Sequence, residues 1–326
     1  MRKRQNRNRR WIIGVSILAL AVGSVAALEW GLSYRFGLGD PVLYETHDSF
    51  GYAYQPDQSL TRRGNLMQTN RHGMRAQDFA EEPAPGENRI LLFGDEILTG
   101  KSRIDQTELA AVQLRALMES DDDELTVATV GAPGWRVGNM AGHAERQGFF
   151  GAHTVVVVMD SDGLVEGYDF GNIRPVQHPT EGLRSAIHEA VTRYAIPRYA
   201  PWLQSHDCSP GPPPENADDP EIEVPRPEEA LSRLVTAVRD AGVQTMQIGI
   251  WPIHAEVLDP GQSSGAERIR EYCRQMDLEC FSFLPSIDAR AEASESFYQD
   301  TRNPNAAGHR LIAEVLVQRL ATGEPE

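Results

Sequence analysis

From residue 89 onward, short apolar runs alternate with segments that carry apolar residues at helical spacing. Strands joined by helices must pair in parallel, because each crossover helix returns the chain to the same edge of the sheet. The pattern therefore predicts a three-layer α/β/α domain over residues 88–322, with a mainly parallel five-stranded sheet. The predicted strands are 90–93, 125–130, 154–159, 245–250 and 279–283, and the predicted helices are 106–118, 137–149, 228–241, 266–276 and 306–320.

One long segment, residues 163–227, interrupts this rhythm. Its first half has helical spacing at 182–199, whereas residues 205–227 are rich in proline, aspartate and glutamate. Such a composition buries too little apolar area to order itself, so we predict a surface loop over 205–227.

The N-terminus predicts a membrane anchor. Six basic residues precede Trp11, and residues 11–28 form an uncharged apolar run close to the roughly 20 residues that a spanning helix needs. The positive-inside rule then gives a cytoplasmic arm at 1–10, a transmembrane helix at 11–29 in the inner membrane, and a periplasmic or extracellular body. A cleaved signal peptide is the alternative, with Val25-Ala26-Ala27 as the cleavage site.

Residues 30–87 are rich in turn residues and predict a stalk followed by a small β-rich lead-in. Subtracting the six N-terminal positive charges from the net charge of −16 leaves −22 for the rest of the chain. A body this acidic argues against nucleic acid as a partner. The three cysteines match no zinc pattern, and Cys273 and Cys280 are placed to meet if the compartment is oxidising. No metal and no cofactor are predicted.

The first predicted strand stops abruptly at Gly94-Asp95-Glu96, which places two carboxylates at the carboxyl edge of the sheet, where ligands bind in open α/β folds. Residues 89–96, Arg-Ile-Leu-Leu-Phe-Gly-Asp-Glu, resemble the first block of the SGNH, or GDSL, hydrolases, in which the strand ends in Gly-Asp-Ser and the serine is the nucleophile. Glu96 occupies the serine position. A carboxylate cannot take the role of a serine hydroxyl in forming an acyl-enzyme ester.

Two further blocks of this resemblance concern the oxyanion hole. Residues 130–135 resemble the second block, whose glycine supplies a backbone N–H to the oxyanion, and Gly134 holds that position. In the third block Ser161 stands where an asparagine is usual. Asp160 precedes it, and its negative charge would oppose a developing oxyanion.

The last block resembles Asp-x-x-His, the base and its orienting carboxylate. Asp300 is retained, but Asn303 occupies the histidine position, and an amide cannot accept and return a proton near neutral pH. His309, six residues later, is expected to be a structural residue of the last helix. Residues 70–75 also resemble the Asn-x-x-Gly-x-Arg stretch that precedes the first block in many envelope-anchored SGNH proteins.

The resemblance covers roughly residues 70–320, and its nucleophile, base and oxyanion positions are all substituted. It implies a catalytically degenerate SGNH-like protein, a pseudoenzyme that acts as a binding or accessory factor in cell-envelope polysaccharide modification or export. The implied partners are an envelope polysaccharide or an acyltransferase or SGNH partner protein. The candidate ligand-binding residues are Asp95, Glu96, Trp135, Asp160 and Asp162, and the candidate sugar-stacking rings are Trp135, Tyr168, Trp202 and Trp251.

An active esterase or acetyl-hydrolase-like enzyme is the alternative. In it, Asp95, Glu96, Asp160, Asp162 and Asp300 would converge and either share protons or hold a hard cation such as calcium. Against this, aspartates that follow strands also hold loops by hydrogen bonds to the backbone.

Overall fold

The computed structural model describes residues 2–119, 124–164, 178–182, 185–200, 226–259, 264–290 and 297–322. The chain begins with one long helix, α1, followed by two antiparallel hairpins, β1–β2 and β3–β4. Their bounds are α1 Arg2–Phe36, β1 Tyr44–His47, β2 Gly51–Tyr54, β3 Ser59–Arg62 and β4 Asn65–Gln68.

Five parallel strands then form the central sheet in the order β6-β5-β7-β8-β9. Their bounds are β5 Asn88–Phe93, β6 Leu125–Val130, β7 Thr154–Asp160, β8 Thr245–Trp251 and β9 Glu279–Ser282. The helices are α2 Glu96–Thr99, α3 Ala110–Met118, α4 Val137–Gln147, α5 Ala186–Glu189, α6 Ile196–Tyr199, α7 Pro227–Asp240, α8 His254–Leu258, α9 Ser264–Met276, α10 Leu284–Asp288 and α11 Ala306–Thr322.

The sheet separates two hydrophobic cores. Successive side chains of a strand point to opposite faces, so Leu91 and Phe93 of β5 join one core while Ile90 and Leu92 join the other. The first core packs against α4, α7, α9 and the two hairpins, and the second packs against α3, α10 and α11. The predicted three-layer α/β/α fold with a five-stranded parallel sheet is confirmed.

The helix predicted at 106–118 is wrong in its first turn. The Asp105 side chain accepts a hydrogen bond from Thr107 N and starts a separate 3₁₀ turn, Gln106–Glu108. Leu109 is extended, with φ −66° and ψ 144°, and α3 begins only after it. An aspartate that bonds the backbone two residues on favours such a local turn over a continuous helix. The surface loop predicted at 205–227 lies, up to residue 225, outside the described residues.

The stalk predicted at the start of residues 30–87 is not a free spacer. α1 continues to Phe36, and its Glu29 carboxylate accepts hydrogen bonds from Ala186 N at 2.6 Å and Ile187 N at 3.0 Å. Gly39 N donates to the Glu189 carboxylate at 2.7 Å. These contacts hold the end of α1 against the body of the domain.

A disulfide joins Cys273 of α9 to Cys280 of β9. The pair predicted to meet is therefore bonded. It connects the last strand of the sheet to the helix that precedes it.

A buried ion pair connects β3 to the helix that starts at residue 186. Arg62 donates to Glu189 at 2.6 Å, and both side chains are almost wholly buried. Burial opposes ionisation of Glu189, but hydrogen bonds from Arg62 and Gly39 outweigh it and lower the pKa of this carboxyl. Arg62 also donates to the carbonyls of Gly37 and Asp40, which follow α1.

We predict that Arg62→Met destabilises the protein by about 3–5 kcal/mol, because it leaves the Glu189 charge buried without its main partner. The double variant Arg62→Met with Glu189→Leu should recover most of that loss, since no buried charge remains. Urea unfolding of both variants, followed by circular dichroism, measures the difference. Equal stability of the wild type and the single variant would show that the pair contributes nothing.

Candidate active site

The positions that the resemblance assigns to catalysis lie at the carboxyl edge of the sheet. Glu96 follows β5 and Ser161 follows β7, the two strands between which the chain reverses its direction of winding. This switch point is where open α/β sheets bind ligands. Gly134 lies in the loop after β6, and Asn303 lies just before α11.

Two glycines allow the loop after β6 to approach the turn after β5. A Cβ on Gly131 would lie 1.9 Å from the carbonyl oxygen of Gly94, so no side chain fits there. Gly134 has φ +83°, a left-handed conformation that favours glycine. Tyr52 of β2 donates from its hydroxyl to Pro133 O at 2.7 Å and fixes this loop from the hairpin side.

The Glu96 carboxylate accepts a hydrogen bond from the backbone N–H of Gly134, in the loop after β6. Its Oε2 lies 2.5 Å from Gly134 N, and its Oε1 lies 2.9 Å from Lys101 Nζ. The resemblance assigns the Gly134 N–H to the oxyanion hole. In this chain the side chain at the nucleophile position therefore occupies that donor with its own negative charge.

Lys101 is a site residue that the sequence analysis missed. It belongs to no block of the resemblance, but it follows Glu96 by five residues, just past the end of α2. A cation this close to an unexpected carboxylate is the signal that would have identified it.

Arg75, the last residue of the Asn-x-x-Gly-x-Arg stretch, holds the loop that carries Lys101. Its buried guanidinium donates to the carbonyls of Thr99 at 2.5 Å, Lys101 at 2.6 Å and Ile104 at 3.2 Å. Burial lowers the pKa of Arg75 to about 10, which leaves it charged at neutral pH. The lead-in thus sets the position of the cation that pairs with Glu96.

The Asp300–Asn303 pair keeps the connection of an orienting carboxylate to its partner. Asn303 Nδ2 lies 3.1 and 3.0 Å from the two carboxylate oxygens of Asp300, and Asn303 N donates to Oδ1 at 2.8 Å. Desolvation raises the pKa of Asp300, but these hydrogen bonds, one from Arg302 N and the charge of Lys101 together hold it below its ordinary value. The carboxylate stays ionised, and the amide that replaces a histidine carries no titratable proton.

Asp95, the first candidate ligand-binding residue, caps α2 by accepting a hydrogen bond from Ile97 N at 2.9 Å. Burial, together with the negative charges of Glu96 and Asp160, raises the pKa of Asp95 well above its ordinary value. The structure therefore brings three of the predicted carboxylates close enough to interact.

Asp160 and Asp162 are paired with one cation. Arg302 donates to Asp160 Oδ2 at 3.0 Å and to Asp162 Oδ2 at 3.2 Å. Arg302 thus shares its positive charge between the two carboxylates, so the negative charge that Asp160 brings is partly compensated. Ser161 is completely buried and presents no exposed hydroxyl to the cleft.

Trp135, predicted as a ligand-binding residue, is a core residue. Its side chain is only 2% exposed, its Nε1 donates to Tyr52 O at 2.7 Å, and its ring packs against Phe50 and His143. Trp251 is also fully buried, so neither ring has a face for stacking a sugar. Tyr168 and Trp202 lie outside the described residues.

His309 is buried in α11, and its Nδ1 accepts a hydrogen bond from Ala110 N at 3.2 Å. Burial lowers its pKa to about 3. His309 is therefore a neutral structural side chain that joins α11 to α3, and we assign it no role as a general base.

Within the described part of the chain, no group of three or more histidine, cysteine, aspartate or glutamate side chains is arranged to hold a metal ion. The carboxylates predicted to converge have other partners, since Glu96 binds Lys101 and Gly134, and Asp300 binds Asn303. Lys101 and the amides of Gly134 and Asn303 thus occupy the Glu96 and Asp300 oxygens that calcium would need.

No protein-family model and no curated protein sequence matches this chain. Several solved structures are similar to it. The chain itself has a three-layer α/β/α fold with five parallel strands.

A member of the lipolytic G-D-S-L family from Veillonella parvula aligns with 72% of this chain and 98% of its own length, at 12% identity and a TM-score of 0.43. A two-domain esterase active on acetylated mannans aligns with 74% of this chain and 50% of its own, at 14% identity and a TM-score of 0.45. The psychrotrophic esterase EstA from Pseudoalteromonas sp. gives 14% identity and a TM-score of 0.43, over 72% of this chain and 98% of its own. At these identities and TM-scores, neither activity nor substrate follows for this chain.

We predict that Asp95→Asn raises the melting temperature at neutral pH. Because folding raises the pKa of Asp95, the folded state binds the proton more tightly, and the free energy of unfolding falls as pH rises through the range between the unfolded and folded pKa values. Asparagine caps a helix as well as aspartate but carries no charge. The increase in melting temperature should therefore be present at neutral pH and vanish below about pH 4, where the aspartate of the wild type is protonated in both the folded and the unfolded state.

Asp78→Asn is the matched control, and we expect it to change the melting temperature at neutral pH in the opposite direction. Asp78 is exposed, and its hydrogen bond with Arg71 lowers its pKa. Its contribution to the free energy of unfolding is therefore present at neutral pH and lost in acid. Melting curves across pH should show this variant destabilised at neutral pH. A lower melting temperature for Asp95→Asn at pH 7 would show instead that Asp95 is ionised and stabilising.

Proposed function

We propose that this chain is a catalytically inactive SGNH-like protein, anchored in the inner membrane, that serves as a binding or accessory factor in cell-envelope polysaccharide modification or export. The observation that carries the proposal is the hydrogen bond from Gly134 N to Glu96 Oε2. It places a fixed anion where acyl transfer would need a vacant donor for a transient one.

Acyl transfer fails at each of its three requirements. An attack by Glu96 would form an anhydride in place of the ester that a serine forms, and Asn303 has no basic nitrogen to take a proton. A substrate carbonyl could reach the Gly134 N–H only by displacing Glu96, which would also break its ion pair with Lys101. Nucleophile, base and free oxyanion donor are thus each missing.

The N-terminal helix supports the anchored part of the proposal. Residues Asn8–Phe36 are long and apolar enough to cross a membrane, and an 18-residue stretch within them has a mean hydropathy of 2.3 and is not buried inside the protein. The basic residues before Trp11 favour a cytoplasmic N-terminus and a body outside the inner membrane. The Cys273–Cys280 disulfide fits an oxidising compartment such as the periplasm.

The accessory role rests on the resemblance of residues 70–75 to envelope-anchored SGNH proteins, a resemblance that implies an association with cell-surface polysaccharide acetylation or export. In this chain that stretch holds the closed site through Arg75. A rigid, chemically silent domain suits a partner-binding role. The partner would be an envelope polysaccharide, an acyltransferase or an active SGNH enzyme.

One observation favours the alternative of an esterase that uses carboxylates. Asp95 has a raised pKa beside Glu96 and Asp160, as a proton-sharing carboxyl pair would. Asp95 is nevertheless committed to capping α2. The alternative requires Glu96 to leave both of its partners, and it is tested together with the main proposal.

We predict that the purified full-length protein in detergent does not hydrolyse p-nitrophenyl acetate above the uncatalysed rate and is not labelled by a fluorophosphonate. Removal of a nucleophile or base costs on the order of 10⁴ to 10⁶ in rate, and here both are absent. Glu96→Ser with Asn303→His should create weak esterase activity and fluorophosphonate labelling, because Asp300 already binds the side chain at position 303. Glu96→Ser alone is the matched control and should stay inactive.

Ester turnover by the wild type that is lost in Glu96→Gln would contradict this proposal and support the carboxylate enzyme. Cells give a second readout. In a deletion strain with reduced polysaccharide acylation, the Glu96→Gln protein should restore acylation as well as the wild type does, because the accessory role makes no use of the carboxylate as a reactant.

A further inference from the structure

The end of α1 is fastened to a second helical segment, which we call the 186–199 helix. It consists of α5, the π-helical turn Ala190–Ala195 and α6, which follow one another without a break. Glu29 of α1 accepts hydrogen bonds from Ser185 Oγ at 3.0 Å, Ala186 N at 2.6 Å and Ile187 N at 3.0 Å. A side chain of the N-terminal helix thus caps the start of the 186–199 helix.

This cap fixes the height of the 186–199 helix relative to a membrane. The apolar run ends at Leu28, and 18 helical residues at about 1.5 Å each span about 27 Å, close to the hydrocarbon thickness of a bilayer. Glu29 then lies at the level of the lipid headgroups. Because residues 185–187 bond directly to Glu29, the start of the 186–199 helix lies at the same level.

A second connection prevents the 186–199 helix from swinging away. Its Glu189 carboxylate accepts hydrogen bonds from Arg62 of β3 and from the backbone N–H of Gly39, a residue that lies just after α1. Glu189 and Ala186 are buried on the side that faces the domain. The other side, judged over the described residues, carries the exposed side chains of this helix, and we call it the open side.

The open side carries the residue types of a membrane interface. Val191, Arg198 and Tyr199 are exposed, whereas the Tyr194 hydroxyl hydrogen-bonds to the Arg62 guanidinium on the domain side. Val191 is 44% exposed and Tyr199, beside Arg198, is 77% exposed. Aromatic residues and arginine are enriched where a protein meets lipid headgroups.

The last two turns of α1 extend this surface. Trp30 and Tyr34 are 68% and 79% exposed and stack on each other with ring centroids 5.3 Å apart. Arg35 follows them and is exposed. These three residues lie one to six positions beyond Glu29, on the same helix that spans the membrane.

Charge identifies the partner. The chain beyond its basic arm carries a net charge of −22, obtained by subtracting six N-terminal positive charges from −16. Yet residues 185–200 contain a single acidic residue, Glu189, which is buried and paired. The exposed cations Arg35 and Arg198 thus present a positive surface on an acidic body, which suits anionic headgroups, whereas two copies that met through this same face would bring like charges together.

We propose that the open face of the 186–199 helix, together with Trp30, Tyr34 and Arg35, lies on the membrane surface and binds anionic phospholipid headgroups. This inference rests on the anchor in the proposed function and is independent of whether the site is inactive. The contact holds the domain against the bilayer in one orientation. The polysaccharide or protein partner then meets the domain on its remaining surfaces.

The test uses the full-length protein with Cys208→Ser, reconstituted in vesicles of phosphatidylcholine and phosphatidylglycerol. Single cysteines at Val22, Val191 or Leu258 are labelled with an environment-sensitive fluorophore, and the disulfide-bonded Cys273 and Cys280 do not react. Leu258 is the control, since it is 65% exposed, apolar and outside the proposed surface. A headgroup spin label measures proximity to the membrane surface, and an acyl-chain spin label measures depth.

We expect the acyl-chain label to quench the fluorophore at position 22, and the headgroup label to quench the one at 191 several-fold more than the one at 258. Arg198→Glu or omission of phosphatidylglycerol should reduce quenching at 191 and leave it unchanged at 22.

If the fluorophore at position 22 is quenched but those at positions 191 and 258 are quenched equally weakly, the surface contact is wrong and the membrane anchor is supported. Absence of quenching at 22 would overturn both, whereas the ester and fluorophosphonate assays would still report on the site. Concentration-dependent protection of position 191 from aqueous iodide in detergent, without lipid, would assign the face to a second copy and also overturn the proposal.

Discussion

A 2.5 Å hydrogen bond between a backbone amide and a carboxylate, Gly134 N to Glu96 Oε2, determines what the rest of this site can do. An amide that faces an open cleft can bind a transient oxyanion, whereas one already bound to a carboxylate cannot. Charge-assisted hydrogen bonds are also among the stronger ones in proteins. Lys101 adds an ion pair to the same carboxylate, so its negative charge is stabilised from two sides.

The fold supports this contact from several directions. Gly131 brings the second loop against Gly94, and Tyr52 fixes that loop through Pro133. On the other side, Arg75 holds the carbonyls around Lys101. The hairpins and lead-in that precede the sheet are therefore structural parts of the site, and the long apolar N-terminal helix is fastened to the same body through Glu29.

The sheet was predictable because its strands are apolar runs with clear ends. The β6 bounds match the prediction, and the order of blocks placed Glu96, Gly134, Ser161 and Asn303 at one edge. The partners of those residues were not predictable, because ion pairs depend on tertiary packing. Arg302, two residues after Asp300, pairs with Asp160 and Asp162 from far along the chain, and Lys101 belongs to no motif.

Trp135 shows the other limit of sequence reasoning. A tryptophan beside a glycine loop has the composition of a sugar-binding platform, but burial decides its role, and here hairpin β1–β2 covers it. Glu29 was predicted as the end of the anchor, and its capping of a helix more than 150 residues away could not be read from spacing alone.

The amide proton of Gly134 offers the most direct test of the central contact. Labelling proline carbonyl carbon and glycine nitrogen leaves only four Pro-Gly amide signals from the whole chain, at glycines 86, 134, 211 and 261. In the full-length protein in micelles, one of them should be strongly downfield, protected from hydrogen exchange and shifted upfield by Glu96→Ala, while the other three stay unchanged. Four signals that do not respond to Glu96→Ala would show that the amide is free to bind an oxyanion, and would contradict the closed site.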